Sequence, residues 1–363
     1  MNIYWIFFSI IIEFGYSSDC IDDRFTAINS PGPPLSLSNA IFSRSFHCFD
    51  NRKNLLNDDI GPILLIPGTG VEKASDQYDY AWTKQLTKFN LSYCLVDPPD
   101  YGLGDIQISS EFIVYSVRRM YQYFNENRIN IIAHSQGSAT ARWAFRFWPD
   151  IRSKVKHLIG LAPANHAING NPNECRSEKG CIPARWQFLT HAQMICALNS
   201  YQETFHQQIF YTQIMTRYDE AIRPINSSEL HYGSNIYIQD ICPSNPVTHL
   251  SLAIYDSIAY LIAMDALIHK HNANLERIKQ TSCPNESCCQ QFYLSGFNQS
   301  LLPSLFNEIF VLNSFIENYP RIKEEPPLKC YVIKDCMLSS QSNTNSLNSF
   351  IIIAMVLKLC YSF

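Results

Sequence analysis

Residues 128–142, RINIIAHSQGSATAR, decide how the rest of the chain is read. Ile129, Ile131, Ile132 and Ala133, interrupted only by Asn130, have the apolar character of a strand buried on both faces of a parallel sheet. The run breaks at His134-Ser135-Gln136-Gly137, and residues 138–147 then carry helix-forming Ala, Arg and Trp. Strand, sharp turn and helix form the setting in which a serine becomes a nucleophile. The turn strains the backbone of Ser135, exposes its Oγ at the carboxyl edge of the sheet and faces it toward a helix N-terminus. Backbone comes very close there, so small neighbours are needed. Gly137 and Ser138 supply them after the serine, and Ala133 before it, in place of the first glycine of G-x-S-x-G. Ser-x-Gly after an apolar run is also an ordinary turn, so the reading depends on what surrounds it.

Working outward, residues 62–66 read as a short buried strand ended by Pro67-Gly68-Thr69-Gly70. Residues 80–89 read as a helix, 92–96 as the next strand, closed by Pro98-Pro99, and 112–124 as an amphipathic helix leading to the central strand. Beyond it, 155–161, 209–215 and 236–241 read as strands and 250–266 as a helix, while 21–59, polar and turn-rich, reads as an N-terminal arm. Regular alternation of strands and helices predicts an α/β fold, a mostly parallel central sheet with helices on both faces. Binding sites in such folds gather beyond the carboxyl ends of the strands.

The chain has 363 residues, 17% charged and 13% aromatic, enough to bury a sizeable core. Its net charge is −4 with no long basic cluster, which argues against a nucleic-acid partner. Residues 1–18 open with an apolar run too short to span a bilayer, then turn small and polar, as a signal peptide does. Thirteen cysteines fit an oxidising compartment, and Asn90, Asn226, Asn285 and Asn298 head glycosylation triplets. These features predict an extracellular protein with a catalytic domain over residues 19–335. A Ser/Asn-rich spacer and an apolar tail within 336–363 fit either a GPI-attachment signal, hence a membrane anchor, or a frayed terminal element. Loss of the tail with Cys360 would leave an even number of cysteines.

A serine hydroxyl needs a base to take its proton, and the base needs a carboxylate to orient it. On this kind of sheet the order along the chain is serine, acid, histidine. Asp219 lies just past strand 209–215, with Glu220 and Asp240 as rivals. His249 follows strand 236–241 across a short loop and begins a helix, with His231 as its rival. Oxyanion donors are expected from the amide of Gln136, next after the nucleophile, and from Thr69 in the glycine-bearing loop. No metal or cofactor is implied.

Together the sequences ILLIPGTG (63–70), SYCLVDPP (92–99), SQG (135–137), FWPDIRSKV (147–155) and YDEAIRP (218–224) resemble the fungal lipase B family, the Candida antarctica type. The resemblance covers roughly residues 48–283. It implies an α/β-hydrolase fold, a triad of Ser135, Asp219 and His249, and oxyanion donors Thr69 and Gln136. It also implies that His134 and Gln187 border the substrate, and that Cys48 pairs with Cys94 and Cys242 with Cys283. Three departures matter. His134 stands where that family has a tryptophan lining the alcohol pocket, and Ala164 replaces an acidic residue. The lid-like insert 165–185 is polar rather than apolar and holds Cys175 and Cys181, which are expected to staple it rather than bind zinc. A polar lid should interact less with a lipid surface, so contact with such an interface is expected to be transient.

The sequence thus predicts a secreted or surface-anchored hydrolase of carboxylic esters, fatty-acyl esters foremost, working through an acyl-enzyme. Transacylation or amide cleavage would use the same residues. An inactive member of the fold serving as a binding protein is the alternative from another class.

Overall fold

The computed structural model describes residues 20, 22–51, 60–168, 172–303 and 317–336. The predicted signal segment, residues 304–316 and the tail from 337 lie outside the described residues. Among these residues, seven strands form one sheet: β1 (Phe46–Phe49), β2 (Ile63–Ile66), β3 (Tyr93–Val96), β4 (Ile129–His134), β5 (Val155–Leu161), β6 (Phe210–Met215) and β7 (Ser234–Tyr237). Their order is β1-β3-β2-β4-β5-β6-β7, with β1 antiparallel to β3 and every other pair parallel. The chain passes from β2 out to β3 and then back across β2 to β4. The carboxyl ends of β2 and β4 therefore flank the point where the winding reverses, the natural crevice of such a sheet.

The helices about the sheet include α1 (Asn39–Arg44), α2 (Ala74–Tyr78), α3 (Trp82–Lys88), α4 (Ile106–Tyr123), α5 (Gln136–Phe147), α6 (Pro172–Arg176), α7 (Pro183–Gln187) and α8 (Gln193–Leu198), followed after β7 by α9 (Ile238–Ile241), α10 (His249–Ile254) and α11 (Ser257–His269). Alternate strand residues feed two cores. Leu64, Ile66, Ile131, Ala133 and Leu158 pack with α4, α5 and α8 on one face. Ile63, Leu65, Ile132, Ile159 and Ile214 pack with α3, α10 and α11 on the other. The period-two side-chain alternation of a strand, buried on both sides, accounts for the continuous apolar runs in the sequence.

The structure departs from the sequence-based reading in four places. The N-terminal arm is more than an arm: it contributes α1 and the edge strand β1, whose burial alternates as expected for a strand with one exposed face. Helix α4 begins at Ile106, six residues early, because Asp105 caps it by accepting the amide of Gln107 at 3.0 Å. The strand expected at 236–241 ends at Tyr237 and becomes the short helix α9. The helix expected at 250–266 is two helices. Asp256 breaks it, its side chain accepting the amides of Ile258 and Ala259 at 3.0 and 2.7 Å to cap α11.

Disulfides join Cys48 to Cys94 across β1 and β3, Cys175 to Cys181, Cys20 to Cys196 and Cys330 to Cys336. The pairing of Cys242 with Cys283 is corrected: Cys242 pairs with Cys289, and Cys283 with Cys288. The segment Pro284–Gln290 turns tightly enough for the amide of Cys288 to reach the sulfur of Cys283 at 3.3 Å, and Cys289 is left facing Cys242.

Candidate active site

Strand β4 runs directly into the turn that carries Ser135. The serine has φ 53° and ψ −123°, a conformation that a residue with a side chain adopts only when its surroundings impose it. Its amide donates to the carbonyl of Leu161 at 2.9 Å, and its carbonyl accepts the amides of Ser138 and Ala164 at 3.1 and 3.2 Å. Gly137 has to be glycine here, since a Cβ would come within 2.6 Å of the Pro67 carbonyl oxygen. The strained serine and the closely packed glycine predicted for the elbow are present, but the serine expected to be exposed is buried, at 8% exposure.

Asp219 lies four residues beyond β6. Its Oδ1 accepts the amides of Ala221 and Ile222 at 2.9 and 2.7 Å, which leaves Oδ2 facing Nδ1 of His249 at 2.9 Å. His249 is the first residue of α10, behind a capping box made by Thr248 and Ser251. The hydroxyl of Thr216 donates to the carbonyl of Val247 at 2.6 Å and ties the end of β6 to the loop before His249. The His249 ring centroid lies 4.8 Å from that of His134, the residue just before the serine. Asp219 and His249 are therefore joined, and the ring of His249 lies beside the residue that precedes Ser135. The rivals fall elsewhere: Asp240 pairs with Arg217, and His231 packs against Tyr232. Glu220 goes to the main chain of His249, whose amide donates to Oε2 at 2.8 Å.

Thr69 stands beyond β2 with its hydroxyl donating to Oε1 of Gln136 at 2.7 Å, while Nε2 of Gln136 donates to the carbonyl of Gly102 at 2.7 Å. The Gln136 side chain is thus committed to the protein. Its amide, in the first turn of α5, belongs to the group that has no intrahelical acceptor. His134 is buried, with Nδ1 3.1 Å from Oε1 of Gln77 and Nε2 3.2 Å from the carbonyl oxygen of His249. Burial, and then the neighbouring His249, hold its pKa well below that of a free histidine, so the ring is neutral. Gln187 is also buried. It accepts the amide of Ile106 at 2.9 Å and donates to Asp105 at 2.7 Å, so its amide group braces the start of α4.

The insert beyond β5 is stapled by Cys175–Cys181 and pinned from outside. Cys181 and Ile322 exchange main-chain hydrogen bonds in both directions, Trp186 donates to the Ile322 carbonyl at 3.1 Å, and Arg321 donates to that of Gly180 at 3.2 Å. Gly180 has φ +65°, and a Cβ there would meet the Ile322 carbonyl oxygen at 2.3 Å. Sequence reasoning missed the contacts of Glu220, Gln77 and Ile322. The carboxylate–amide contact joins residues 29 apart, and no spacing rule announces it.

A parallel sheet with one antiparallel edge strand, helices on both faces and a strained serine after β4 make this chain an α/β-hydrolase in fold. No family model matches the sequence. It is similar to lipase B of Pseudozyma antarctica, at 28% identity over 213 residues, which are 57% of this chain and 61% of that protein. The match therefore spans less than two thirds of that relative's length. Among solved structures, lipase B of Aspergillus fumigatus superposes with a TM-score of 0.70 at 22% identity, over 86% of this chain and 78% of that one.

Proposed function

We propose that this protein is a serine hydrolase that cleaves carboxylic esters, fatty-acyl esters foremost. The observation that carries this reading is the Ser135 elbow together with the His249 imidazole, which lies 4.8 Å from the ring of His134, the residue before the serine, and meets Asp219 at Nδ1 at 2.9 Å. Likeness to lipase B supports it. In this reading Ser135 Oγ attacks the ester carbonyl and passes its proton to Nε2 of His249. Asp219 holds the ring in the tautomer that can accept it and stabilises the imidazolium. The amide of Gln136, with Thr69, receives the oxyanion. His249 then protonates the departing alcohol, and water, deprotonated by the same ring, releases the acid from Ser135.

The six disulfides among the described residues support folding in an oxidising compartment, so we place the protein outside the cell. A fluorophosphonate probe tests the reading directly. The wild-type protein should be labelled and Ser135→Ala should not; an unlabelled wild type would leave an α/β-hydrolase fold used for binding. A series of p-nitrophenyl esters from short to long chains then sets the acyl preference. Strict preference for short soluble esters would exclude the fatty-acyl part of the proposal and keep the esterase.

A further inference from the structure

His249 is held at three points. Its ring meets Asp219, its amide donates to the Glu220 carboxylate at 2.8 Å, and its carbonyl oxygen lies 3.2 Å from Nε2 of His134. The last two contacts come from opposite sides of the site: Glu220 from the turn after β6, His134 from the end of β4. A neutral imidazole carries one N–H, whereas both atoms facing His134 are oxygens. Turning the Gln77 amide resolves the conflict. Its nitrogen, buried with no partner, then donates to Nδ1 of His134, and the ring proton sits on Nε2, aimed at His249. The turn has a cost, since the Gly68 amide, which donates to Oε1 at 3.2 Å, then faces the NH2 group instead of an acceptor.

We propose that Glu220 and His134 are positioning residues that grip the main chain of His249 by its amide and its carbonyl. Resting on the reading of His249 as general base, this assigns two residues that touch no reacting atom. Asp219 orients the ring about its own axis. The main-chain grip fixes where the ring stands, because α10 is only six residues long and its first residue carries the imidazole. A displacement of about 1 Å at a reacting group can lower a rate about a hundredfold.

The titratable groups meeting His249 are Asp219, Glu220 and His134. Glu220→Ala removes the acceptor and the charge, whereas Glu220→Gln removes only the charge. Comparing them separates position from electrostatics, since any movement of the acid limb of the pH–rate profile is common to both. Glu220→Ala should lower the kcat plateau about tenfold to a hundredfold with KM within about twofold, and Glu220→Gln should restore most of it. His134→Phe should behave like the former and His134→Gln, which keeps a donor, like the latter. Glu220 is exposed, so its variants should unfold at nearly the wild-type temperature even if the buried His134 variants do not. Equal plateaus for Glu220→Ala and Glu220→Gln, high or low, would overturn the proposal. If instead His249→Ala remains fully labelled by fluorophosphonate, the general-base reading fails first.

Discussion

Thr69 shows how much one side chain has to do at this rim. Its hydroxyl proton is given to Gln136 Oε1 at 2.7 Å, yet an oxyanion would compete for the same proton. Thr69→Val keeps the shape and loses the donor. It should lower kcat about 10² to 10³ fold with little change in KM, while Thr69→Ser should stay close to wild type in steady-state kinetics on a soluble ester. At this scale the sequence was legible where chemistry imposes chain order: Ser135 after an apolar strand, Asp219 and His249 just past later strands. It was illegible where two carboxylates sit side by side. Asp219 and Glu220 look alike as letters, and only the fold sends one to the ring and the other to the amide. Gln187 was illegible for a related reason, since a buried glutamine reads the same whether it faces a ligand or, as here, caps a helix.

Among elements, the loop between α9 and α10 governs the position of the histidine. Cys242, its first residue, is bonded to Cys289, closing 47 residues, while Cys283–Cys288 closes only 5. In the chain-entropy model the long closure contributes about 4 kcal/mol and the short one about 2 kcal/mol. The double variant Cys242→Ser with Cys289→Ser should therefore lose more stability in denaturant unfolding than Cys283→Ser with Cys288→Ser. It should also lose activity before it unfolds, because the freed loop leads directly to His249. The central strands and α5 were readable because buried parallel strands are continuous apolar runs. Strand β1 was not, being short and half exposed, and the break at Asp256 was hidden because an aspartate inside an apolar stretch also reads as a tolerated helix residue.

The molecule as a whole carries opposing titrations. Burial lowers the pKa of His157 to about 3, and that of His134 well below the usual value. Burial raises the pKa of Asp256 to about 6. Below about pH 6.5 an unfolded chain binds protons on these histidines that the folded one refuses, so their contribution to stability is lost as pH falls. Asp256 acts in the other sense: its contribution is present below about pH 4 and is lost as pH rises to about 6. Burial opposes ionisation of Glu203, but His166 holds its pKa down to about 2, whereas burial raises that of Glu325. These two carboxylates act in opposite senses, so the two histidines against Asp256 leave stability declining with acidification. His157→Gln should flatten that decline and Asp256→Asn should steepen it, each by about 1.4 kcal/mol per pH unit between pH 4 and 6, as read by chemical denaturation across pH.

The union of the insert with residues 321–323 bears on how such a protein meets its substrate. Cys181 and Ile322 are joined in both directions, and Arg321 and Lys323 grasp the carbonyls of Gly180 and Ser177. On the proposed reading, an insert so moored would not swing aside on meeting an oil surface without carrying residues 321–323 with it. Turnover should therefore rise along one smooth saturation curve as an ester passes from dissolved molecules to droplets, with no jump where the droplets form.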